Sequence, residues 1–395
     1  MQYIQFKDLF LSQLGFGMMR LPLNEDGSIN EPLVSEMCRY AISHGVNYFD
    51  TAHPYHSGMS EIVAGRVLSQ FPRGCYHLAS KYPGHQYAES YNPEEIFEEQ
   101  LKKCQVDYFD FYLLHNVCES SIDVYRDKRW NIVNYFKKQR DLGRILHLGF
   151  SSHAEFETLR TFLDEYGDDM EFCQIQLNYL DWKLQKAEKK YELLSQRNIP
   201  IWVMEPVRGG RLAKLNDEQT ARLQAKRPGE STASWGFRWL TQMPGVGVVL
   251  SGMSNLAQMK DNIETFSEDK PLSNAEIKIL FEIAEELSPI IPCTACRYCC
   301  DGCPQKLNIP MLLNALNDAR FAPNFTVGMR METIDEAHLP SACIGCGNCA
   351  QICPQHIDIP AHMKEFTDLL GTLPSWKKIC QERAEAAKKL NSSKS

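Results

Sequence analysis

The sequence contains little that would place the protein in a membrane or send it across one. No stretch reaches the roughly 18 consecutive apolar residues that a membrane-spanning helix requires. The opening residues, MQYIQFKDLFLSQLG, lack the basic start, the apolar run and the small-residue cleavage site of a signal peptide. We therefore expect a cytoplasmic protein without a membrane partner.

Positive charge is also in short supply. The chain carries 42 Lys and Arg against 50 Asp and Glu, so its net charge is −8, and its only basic tail is the modest one with Lys388, Lys389 and Lys394. A protein whose main ligand is nucleic acid usually concentrates Lys and Arg on one face or in one run. The composition therefore argues against nucleic acid as the main partner.

Cysteine, in contrast, is abundant. Fifteen Cys in a chain without a recognisable export signal indicate a reducing compartment. Two runs near the C-terminus share one pattern, Cys-x-x-Cys-x-x-Cys-x-x-x-Cys-Pro. The first run consists of Cys293, Cys296, Cys299 and Cys303, and the second of Cys343, Cys346, Cys349 and Cys353.

This spacing predicts two [4Fe–4S] clusters. Three thiolates of one run hold one cluster, while the fourth Cys of that run points away and ligates the other cluster. We therefore assign Cys353 to the cluster of the first run and Cys303 to the cluster of the second. Zinc and disulfides are the alternatives. Zinc sites usually use two Cys-x-x-Cys halves or a mixture of Cys and His, which these runs do not resemble.

The rest of the chain alternates short apolar runs with amphipathic helices. The apolar runs lack strict alternation, as expected of parallel strands that are buried on both faces. The eight candidate strands are Leu14–Met18, Val46–Thr51, Tyr76–Lys81, Phe109–His115, Ile145–Ser151, Phe172–Asn178, Ile201–Glu205 and Val246–Gly252. Eight strands that alternate with helices over about 285 residues predict an α/β fold, a (β/α)8 TIM barrel. An open doubly wound sheet is the alternative, but Gly15-Phe16-Gly17 stops short of its Gly-x-Gly-x-x-Gly turn.

The length of 395 residues suggests two domains, or one large barrel with an appendage. We place the boundary at Ser288, because Pro289 and Pro292 end the last barrel helix. Residues 1–288 then form the barrel, and residues 289–395 form a small, mostly helical domain with both Cys runs and a C-terminal helix. Because Cys343 follows Cys303 at a distance of 40 positions, this segment resembles the α-helical type of ferredoxin.

Four polar residues stand where TIM barrels carry catalytic groups, at or after the C-terminal ends of strands. Asp50 ends the second candidate strand and Tyr55 follows it, Lys81 ends the third, and His115 ends the fourth. A single His after an apolar run is more often a core residue. Four such groups on successive strands instead predict an active site.

At these positions the sequence resembles the aldo-keto reductases, over roughly its first 285 residues. The most specific phrase is Asp50-Thr51-Ala52, followed by Tyr55 and by Ser60-Glu61. A barrel followed by two cluster motifs is similar to an iron–sulfur subgroup of that family.

The resemblance implies a catalytic role for each of the four residues. Tyr55 would be the proton donor, and the ammonium of Lys81 would lower the pKa of Tyr55 by stabilising its phenolate. Asp50 would keep Lys81 charged and oriented. His115 would align the carbonyl oxygen through a hydrogen bond.

The resemblance also implies a nicotinamide cofactor, bound by loops after the fifth to eighth strands. Its contacts would be Ser151, Ser152 and Gln174 for the carboxamide, Arg208, Gly209 and Gly210 for the pyrophosphate, Ser251, Gly252 and Met253 for the adenosine phosphates, and Asn262 for the adenine. Gly252 and Gln258 stand where NADPH-preferring relatives carry cations, so we favour NADH over NADPH. The alternative is that these Ser and Gly residues are ordinary loop residues.

Together these features predict an oxidoreductase that interconverts a small-molecule carbonyl and an alcohol with NAD(P)H. We expect the two clusters to pass electrons to or from a redox protein partner. Two alternatives are structural clusters in an otherwise ordinary reductase, and a nucleotide-binding redox sensor or electron carrier without turnover. A flavin would normally split the electron pair of a hydride between one-electron carriers, but no sequence feature indicates one.

Overall fold

The computed structural model describes residues 1–287, 291, 293, 297–321, 325–353 and 355–392, which form two compact units. The first unit contains Met1–Tyr179 and Ala187–Phe281 together with the C-terminal residues from Ala386. The second contains Leu180–Lys186 and Glu282–Glu385. Ser288 lies outside the described residues, so the domain boundary stays a prediction.

A closed barrel of parallel strands forms the first unit, as predicted, and the open-sheet alternative is wrong. The strands are β1 (Tyr3–Phe6), β2 (Leu9–Ser12), β3 (Leu14–Gly17), β4 (Tyr48–Asp50), β5 (His77–Tyr82), β6 (Phe109–Leu114), β7 (Ile145–Ser152), β8 (Cys173–Gln176), β9 (Ile201–Met204) and β10 (Val246–Ser251). Strands β3 to β10 follow one another around the barrel in chain order, and β10 pairs with β3 to close it.

Most barrel strands are shorter than the apolar runs that predict them. For example, Val46–Thr51 becomes β4, and Phe172–Asn178 becomes β8. Val46 and Leu177 lie outside these strands, yet their exposed fractions are only 1% and 0%. An apolar run indicates which residues are buried. Residues on either side of the hydrogen-bonded part of a strand are buried as well, so the run is longer than the strand.

The antiparallel hairpin of β1 and β2 is absent from the sequence prediction. Lys7 occupies the left-handed region at its turn, with a φ of 53°. Phe6 packs inside the barrel, with its ring centroid 5.1 Å from that of Trp202 and 5.7 Å from that of Phe111. Strands of four residues are too short for an alternating pattern to distinguish them from a loop.

Glycine makes room for the aromatic side chains that fill the barrel interior. A Cβ on Gly15 would lie 2.7 Å from Leu250 Cδ2 and 3.2 Å from Tyr48 Cδ1. A Cβ on Gly149 would lie 2.6 Å from both the ring and the carbonyl oxygen of Phe172. Glycine is therefore required at position 15, in β3, by close packing against the side chains of the neighbouring strands, and not by a phosphate-binding turn.

Helices follow the barrel strands along the chain. They are α1 (Glu31–Ser43), α2 (Met59–Leu68), α3 (Pro93–Cys104), α4 (Ile122–Arg126), α5 (Ile132–Asp141), α6 (Phe156–Tyr166), α7 (Asp181–Leu184), α8 (Ala187–Gln196), α9 (Asp217–Gln224), α10 (Thr232–Thr241), α11 (Leu256–Ser267) and α12 (Asn274–Leu287). The start of α12 is fixed by a reciprocal pair of hydrogen bonds. Glu276 Oε2 accepts from the backbone N–H of Ser273 at 2.8 Å, and Ser273 Oγ accepts from the N–H of Glu276 at 3.4 Å.

The later helices are α13 (Tyr298–Asp301), α14 (Ile309–Phe321), α15 (Phe325–Met331), α16 (Asn348–Gln351), α17 (Ile359–Leu370) and α18 (Trp376–Ser392). In the second unit α14 and α17 share a core that includes Leu312, Leu316, Met363 and Phe366, all fully buried. Within the described residues, no helix is both long enough and apolar enough to cross a membrane.

Replacing Gly149 by Ala is expected to lower the free energy of unfolding of the barrel by about 2–3 kcal/mol. The new Cβ would meet a backbone oxygen, which cannot rotate away as a side chain can. Thermal unfolding followed by circular dichroism measures the effect. The matched control is Gly74→Ala, whose Cβ would meet nothing within 4 Å among the described residues. Equal melting temperatures for the two variants would contradict this account of the barrel core.

Candidate functional site

The structure brings together the four residues that the sequence predicts as catalytic. Asp50 ends β4, Lys81 lies one residue before the end of β5, and Tyr55 lies in a short 3-10 helix after β4. Lys81 Nζ donates to Asp50 Oδ1 at 2.5 Å and lies 3.4 Å from the hydroxyl oxygen of Tyr55. His115 follows β6, and its ring is edge-on to that of Tyr55 with 5.9 Å between centroids.

Lys81 is a charged group without access to solvent. Its exposed fraction is 0%, and Nζ also donates to the carbonyl oxygen of Thr51 at 2.7 Å. Burial lowers the pKa of Lys81, but Asp50 and Tyr55 together raise it more, so the pKa lies above its ordinary value. Burial raises the pKa of Asp50 against the opposing effect of Lys81. The short contact between Nζ and Oδ1 is typical of a charge-assisted hydrogen bond, so we describe the two groups as an ion pair.

The pKa of Tyr55 lies above its ordinary value, because burial outweighs the predicted lowering by Lys81. Burial raises this pKa most, because it disfavours the phenolate. The ammonium of Lys81 lowers it by less, and the carboxylates of Asp50 and Glu205 add to the increase. Tyr55 therefore keeps its proton at neutral pH.

A second group of buried polar side chains contacts the main chain of Lys81. Gln100 Nε2 donates to the carbonyl oxygen of Lys81 at 3.0 Å and to Glu61 Oε1 at 2.6 Å. Ser80 Oγ donates to the same Glu61 oxygen at 2.6 Å, and the hydroxyl of Tyr112 donates to Gln100 Oε1. The phrase Ser60-Glu61 includes one member of this network. Nothing in the sequence distinguishes Gln100 from an exposed polar residue of α3.

The predicted carboxamide contacts lie in β7 and β8. The two hydroxyls already bind main-chain groups, because Ser151 Oγ accepts from the N–H of Asn116 at 2.8 Å and Ser152 Oγ donates to the carbonyl oxygen of Val117 at 2.7 Å. Gln174 Oε1 is buried and has no hydrogen-bond partner within the described residues. A buried amide oxygen of this kind is suited to accept a hydrogen bond from an N–H group of a ligand.

A cation that the sequence analysis missed lies against both predicted phosphate loops. Arg208, Gly209 and Gly210 follow β9 with φ angles of 45°, 65° and 92°, so the chain turns sharply there. A Cβ on Gly209 would lie 3.0 Å from Arg20 Nη2, and a Cβ on Gly252 would lie 3.3 Å from Arg20 Cβ and Cδ. The only sequence signal for Arg20 is its position just after the first barrel strand.

The remaining residues that are predicted to contact the adenosine part of the cofactor differ in their surroundings. Asn262 Nδ2 donates to Ser251 Oγ at 2.9 Å, so these two predicted residues are neighbours. Met253 is 1% exposed, so its side chain belongs to the core. Gln258 Oε1 accepts from the backbone N–H of Ser254 at 2.8 Å.

Four predicted cluster ligands line one pocket of the second unit. They are Cys303 of the first run and Cys343, Cys346 and Cys349 of the second. This combination is the one that the spacing predicts, with the fourth Cys of one run serving the other run. The pocket holds about 350 Å³ of space between atoms, part of it open to solvent. Its apolar lining includes Leu307, Ile309, Ile359 and Met363.

The donor set of this pocket fits a cluster better than a single ion. Throughout the described ranges, no three Cys, His, Asp or Glu side chains are close enough to share one metal ion. A [4Fe–4S] cluster bonds each of four thiolates to a different iron, so the thiolates surround it and do not converge on one point.

The other predicted ligand set is only partly described. Cys296 lies outside the described residues. Burial, Cys300 and Cys293 raise the pKa of the Cys299 thiol to about 12, so Cys293 and Cys299 are close enough to influence each other. Cys353 is half-buried. The assignment of these four residues to one cluster stays a prediction.

Two family models match separate parts of the chain. Residues 13–285 match the aldo/keto reductase family, and residues 292–357 match the 4Fe-4S dicluster domain.

Individual relatives are distant in sequence. "Probable aldo-keto reductase 1" of Glycine max is 31% identical over 164 residues, which is 38% of this chain and 44% of that protein. The chain thus spans less than half of this relative. "Uncharacterized oxidoreductase YqkF" of Bacillus subtilis is 24% identical over 305 residues, which is 69% of this chain and 92% of that protein. "NADH-specific methylglyoxal reductase" of Escherichia coli is 21% identical over 71% of this chain and 97% of that protein.

Solved structures share the barrel fold. The holo form of aldo-keto reductase AKR11C1 from Bacillus halodurans has a TM-score of 0.59 and 23% identity, over 72% of this chain and 96% of that one. An aldo/keto reductase from Klebsiella pneumoniae in complex with NADP and acetate has a TM-score of 0.56 and 19% identity, over 71% of this chain and 93% of that one.

The family model and the structure agree on the first unit. The aldo/keto reductase match covers more than half of the chain and spans all eight barrel strands. The predicted resemblance is therefore confirmed, both for the barrel and for the cluster-binding segment that follows it. The chain belongs to the aldo/keto reductase family and is an oxidoreductase whose barrel is followed by a 4Fe-4S dicluster domain.

Proposed function

We propose that this protein interconverts a carbonyl and an alcohol with a nicotinamide cofactor, and that Tyr55 is its proton donor. The observation that carries the proposal is the buried group of Asp50, Lys81 and Tyr55, beside the imidazole of His115. Membership of the aldo/keto reductase family supports the same reaction class. Active sites of TIM barrels lie at the C-terminal ends of the strands, where these residues are found.

Carbonyl reduction needs a hydride at carbon and a proton at oxygen. A bound nicotinamide supplies the hydride. Tyr55 gives its hydroxyl proton to the oxygen, and the ammonium of Lys81, 3.4 Å away, stabilises the phenolate that remains. Asp50 holds Lys81 in place. His115 donates a hydrogen bond that aligns the carbonyl oxygen.

The raised pKa of Tyr55 favours the reductive direction at neutral pH. A general acid must carry its proton when the carbonyl arrives. An unperturbed Tyr has a pKa of about 10, and a value above this leaves the hydroxyl almost fully protonated at neutral pH. The oxidative direction needs the phenolate, which burial disfavours.

The residues that would hold the cofactor have the chemistry of a dinucleotide site. Gln174 Oε1 offers a buried acceptor for the carboxamide N–H. Arg20 places its guanidinium against the loop after β9, where phosphate oxygens need a cation, and its aliphatic stem against the loop after β10. We favour NADH, because Gly252 and Gln258 carry no charge for a 2′-phosphate. One relative is named an NADH-specific reductase, whereas a similar structure holds NADP, so the preference needs a direct measurement.

For the second unit we propose two [4Fe–4S] clusters that pass electrons to or from a redox protein partner. Cys303, Cys343, Cys346 and Cys349 would hold one cluster, and the other four Cys of the two runs would hold the second. Each cluster supplies a one-electron carrier. The match to a dicluster domain and the apolar lining of the Cys303 pocket support this proposal.

Replacing Tyr55 by Phe is expected to lower kcat for carbonyl reduction about 100- to 10,000-fold, because the proton donor is lost. The assay uses NADH and NADPH with a carbonyl panel that contains methylglyoxal and aldoses. Visible absorbance of the clusters should be unchanged. Tyr3→Phe is the control, because the hydroxyl of Tyr3, in the N-terminal hairpin, also donates to a carbonyl oxygen, that of Gly45 after α1. Near-normal turnover of Tyr55→Phe would exclude Tyr55 as the donor. Nucleotide binding by the wild type without reduction of any carbonyl would favour the sensor or electron-carrier alternative.

Replacing Cys303 by Ser is expected to remove one cluster and to reduce the iron content from about eight to about four atoms per chain. Iron analysis and anaerobic absorbance spectra measure this loss. Cys300→Ser is the matched control, because Cys300 has no ligand position in the motif and should leave the iron content unchanged. Full iron content in Cys303→Ser would disprove the assignment of the fourth Cys to the other run's cluster.

An anaerobic titration of the iron-replete protein with NADH is expected to decrease the visible absorbance of the clusters and to produce the EPR signal of reduced clusters. One hydride carries two electrons and the two clusters take one each, so this reduction also requires a bound group, such as a flavin, that accepts the hydride and passes its electrons on singly. NADPH serves as the comparison. Binding of both nucleotides without any reduced-cluster signal would contradict direct reduction by the nucleotide. The clusters would then be structural, would need a partner or substrate, or would have too low a potential for reduction by the nucleotide.

A further inference from the structure

The main chain at His115 is bound by a buried residue of the loop that follows it. The hydroxyl of Tyr125, in α4, lies 2.7 Å from the carbonyl oxygen of His115 and 3.2 Å from the carbonyl oxygen of Tyr82. A hydroxyl donates one proton, so the shorter contact, to His115, is the main hydrogen bond. Tyr125 is only 2% exposed. It therefore connects the C-terminal ends of β5 and β6, the two strands that carry Lys81 and precede His115.

Gly84 allows the ring of Tyr125 to reach this position. A Cβ on Gly84 would lie 2.7 Å from Tyr125 Cζ and 2.8 Å from both Cε1 and the hydroxyl oxygen. Contacts this short do not occur between real side chains, so any larger residue would displace the ring. The requirement for glycine here comes from close approach.

His85, the next residue, contacts the imidazole of His115. The two rings are 4.3 Å apart between centroids at an angle of 61°, and His85 is 7% exposed. The His115 ring is also edge-on to Tyr55. The imidazole of His115 thus contacts both His85 and the ring of the proposed proton donor. Its position relative to the Tyr55 hydroxyl depends on both its carbonyl and its ring contacts.

We propose that Tyr125, Gly84 and His85 form a clamp that fixes the imidazole of His115 relative to the hydroxyl of Tyr55. Tyr125 and His85 are positioning residues in this proposal, which rests on the function proposed above. A carbonyl oxygen receives a hydrogen bond from His115 and a proton from Tyr55 at the same time. A displacement of about 1 Å of either group can cost about 100-fold in rate, so a fixed imidazole contributes directly to turnover.

The decisive variants are Tyr125→Phe, which removes only the hydroxyl, and Gly84→Ala, which displaces the Tyr125 ring. The matched control is Tyr191→Phe, because the hydroxyl of Tyr191 also donates to a carbonyl oxygen at 2.7 Å, that of Pro244, away from the site. Each variant is assayed for kcat, for the KM of the nucleotide, and for hydrogen exchange at the C2 carbon of each His ring, resolved by peptide mass spectrometry. The exchange measurement needs no substrate.

Both decisive variants are expected to lower kcat about tenfold with little change in the KM of the nucleotide. The C2 hydrogens of His115 and His85 should exchange several times faster, while Tyr191→Phe matches the wild type in every measurement. His85→Phe, which keeps an edge-on ring, should retain more activity and slower His115 exchange than His85→Ala.

Unchanged kcat and unchanged His115 exchange in Tyr125→Phe would overturn the clamp, and so would a loss of thermal stability alone. Equal losses in His85→Phe and His85→Ala would overturn the positioning role of His85. If the wild type reduces no carbonyl, the proposed function fails, and the exchange rates still decide whether the clamp holds His115.

Discussion

The arrangement of the site depends on one buried charge, the ammonium of Lys81. Removing a charge from water costs several kcal/mol unless partners replace the lost hydration. Three oxygens do so here, on Asp50, on the main chain of Thr51 and on Tyr55. Asp50 and Lys81 come from neighbouring strands whose register places Asp50 beside Ala79. A shift of one residue in the pairing of β4 with β5 would turn the Lys81 side chain to the other face of the sheet. The geometry of the site therefore depends on the register of these two strands.

In the barrel unit, glycines lie at positions where neighbouring large side chains need space. In the interior, Gly15 and Gly149 leave space beside Tyr48 and Phe172, and at the rim Gly84 leaves space for Tyr125. Interiors pack at the density of organic crystals, so a single extra carbon at such a position has no free volume to occupy. The same packing that fills the barrel therefore also fixes the residues that surround its mouth.

The proposed function combines two kinds of redox chemistry in one chain. The barrel unit holds the hydroxyl, the ammonium and the imidazole that we propose for two-electron carbonyl chemistry, whereas the cysteine pocket holds four thiols that we propose as ligands of a one-electron carrier. Cysteines from both runs meet in that pocket, so the two motifs depend on each other to complete a site. This mutual dependence gives a physical reason for two motifs in one domain.

The sequence by itself determined the class of the fold and the two cysteine runs, because strand periodicity and ligand spacing are local properties of the chain. It also predicted the four candidate catalytic residues, from their positions at strand ends. It could not determine the N-terminal hairpin, the support of Lys81 by Gln100, the contact of Arg20 with two distant loops or the direction of the Tyr55 pKa. Each of these depends on which groups meet across the barrel and on how much water they lose. The sign of the Tyr55 pKa shows the difference most clearly. The sequence names the nearby cation, but only the tertiary structure sets the burial that outweighs it.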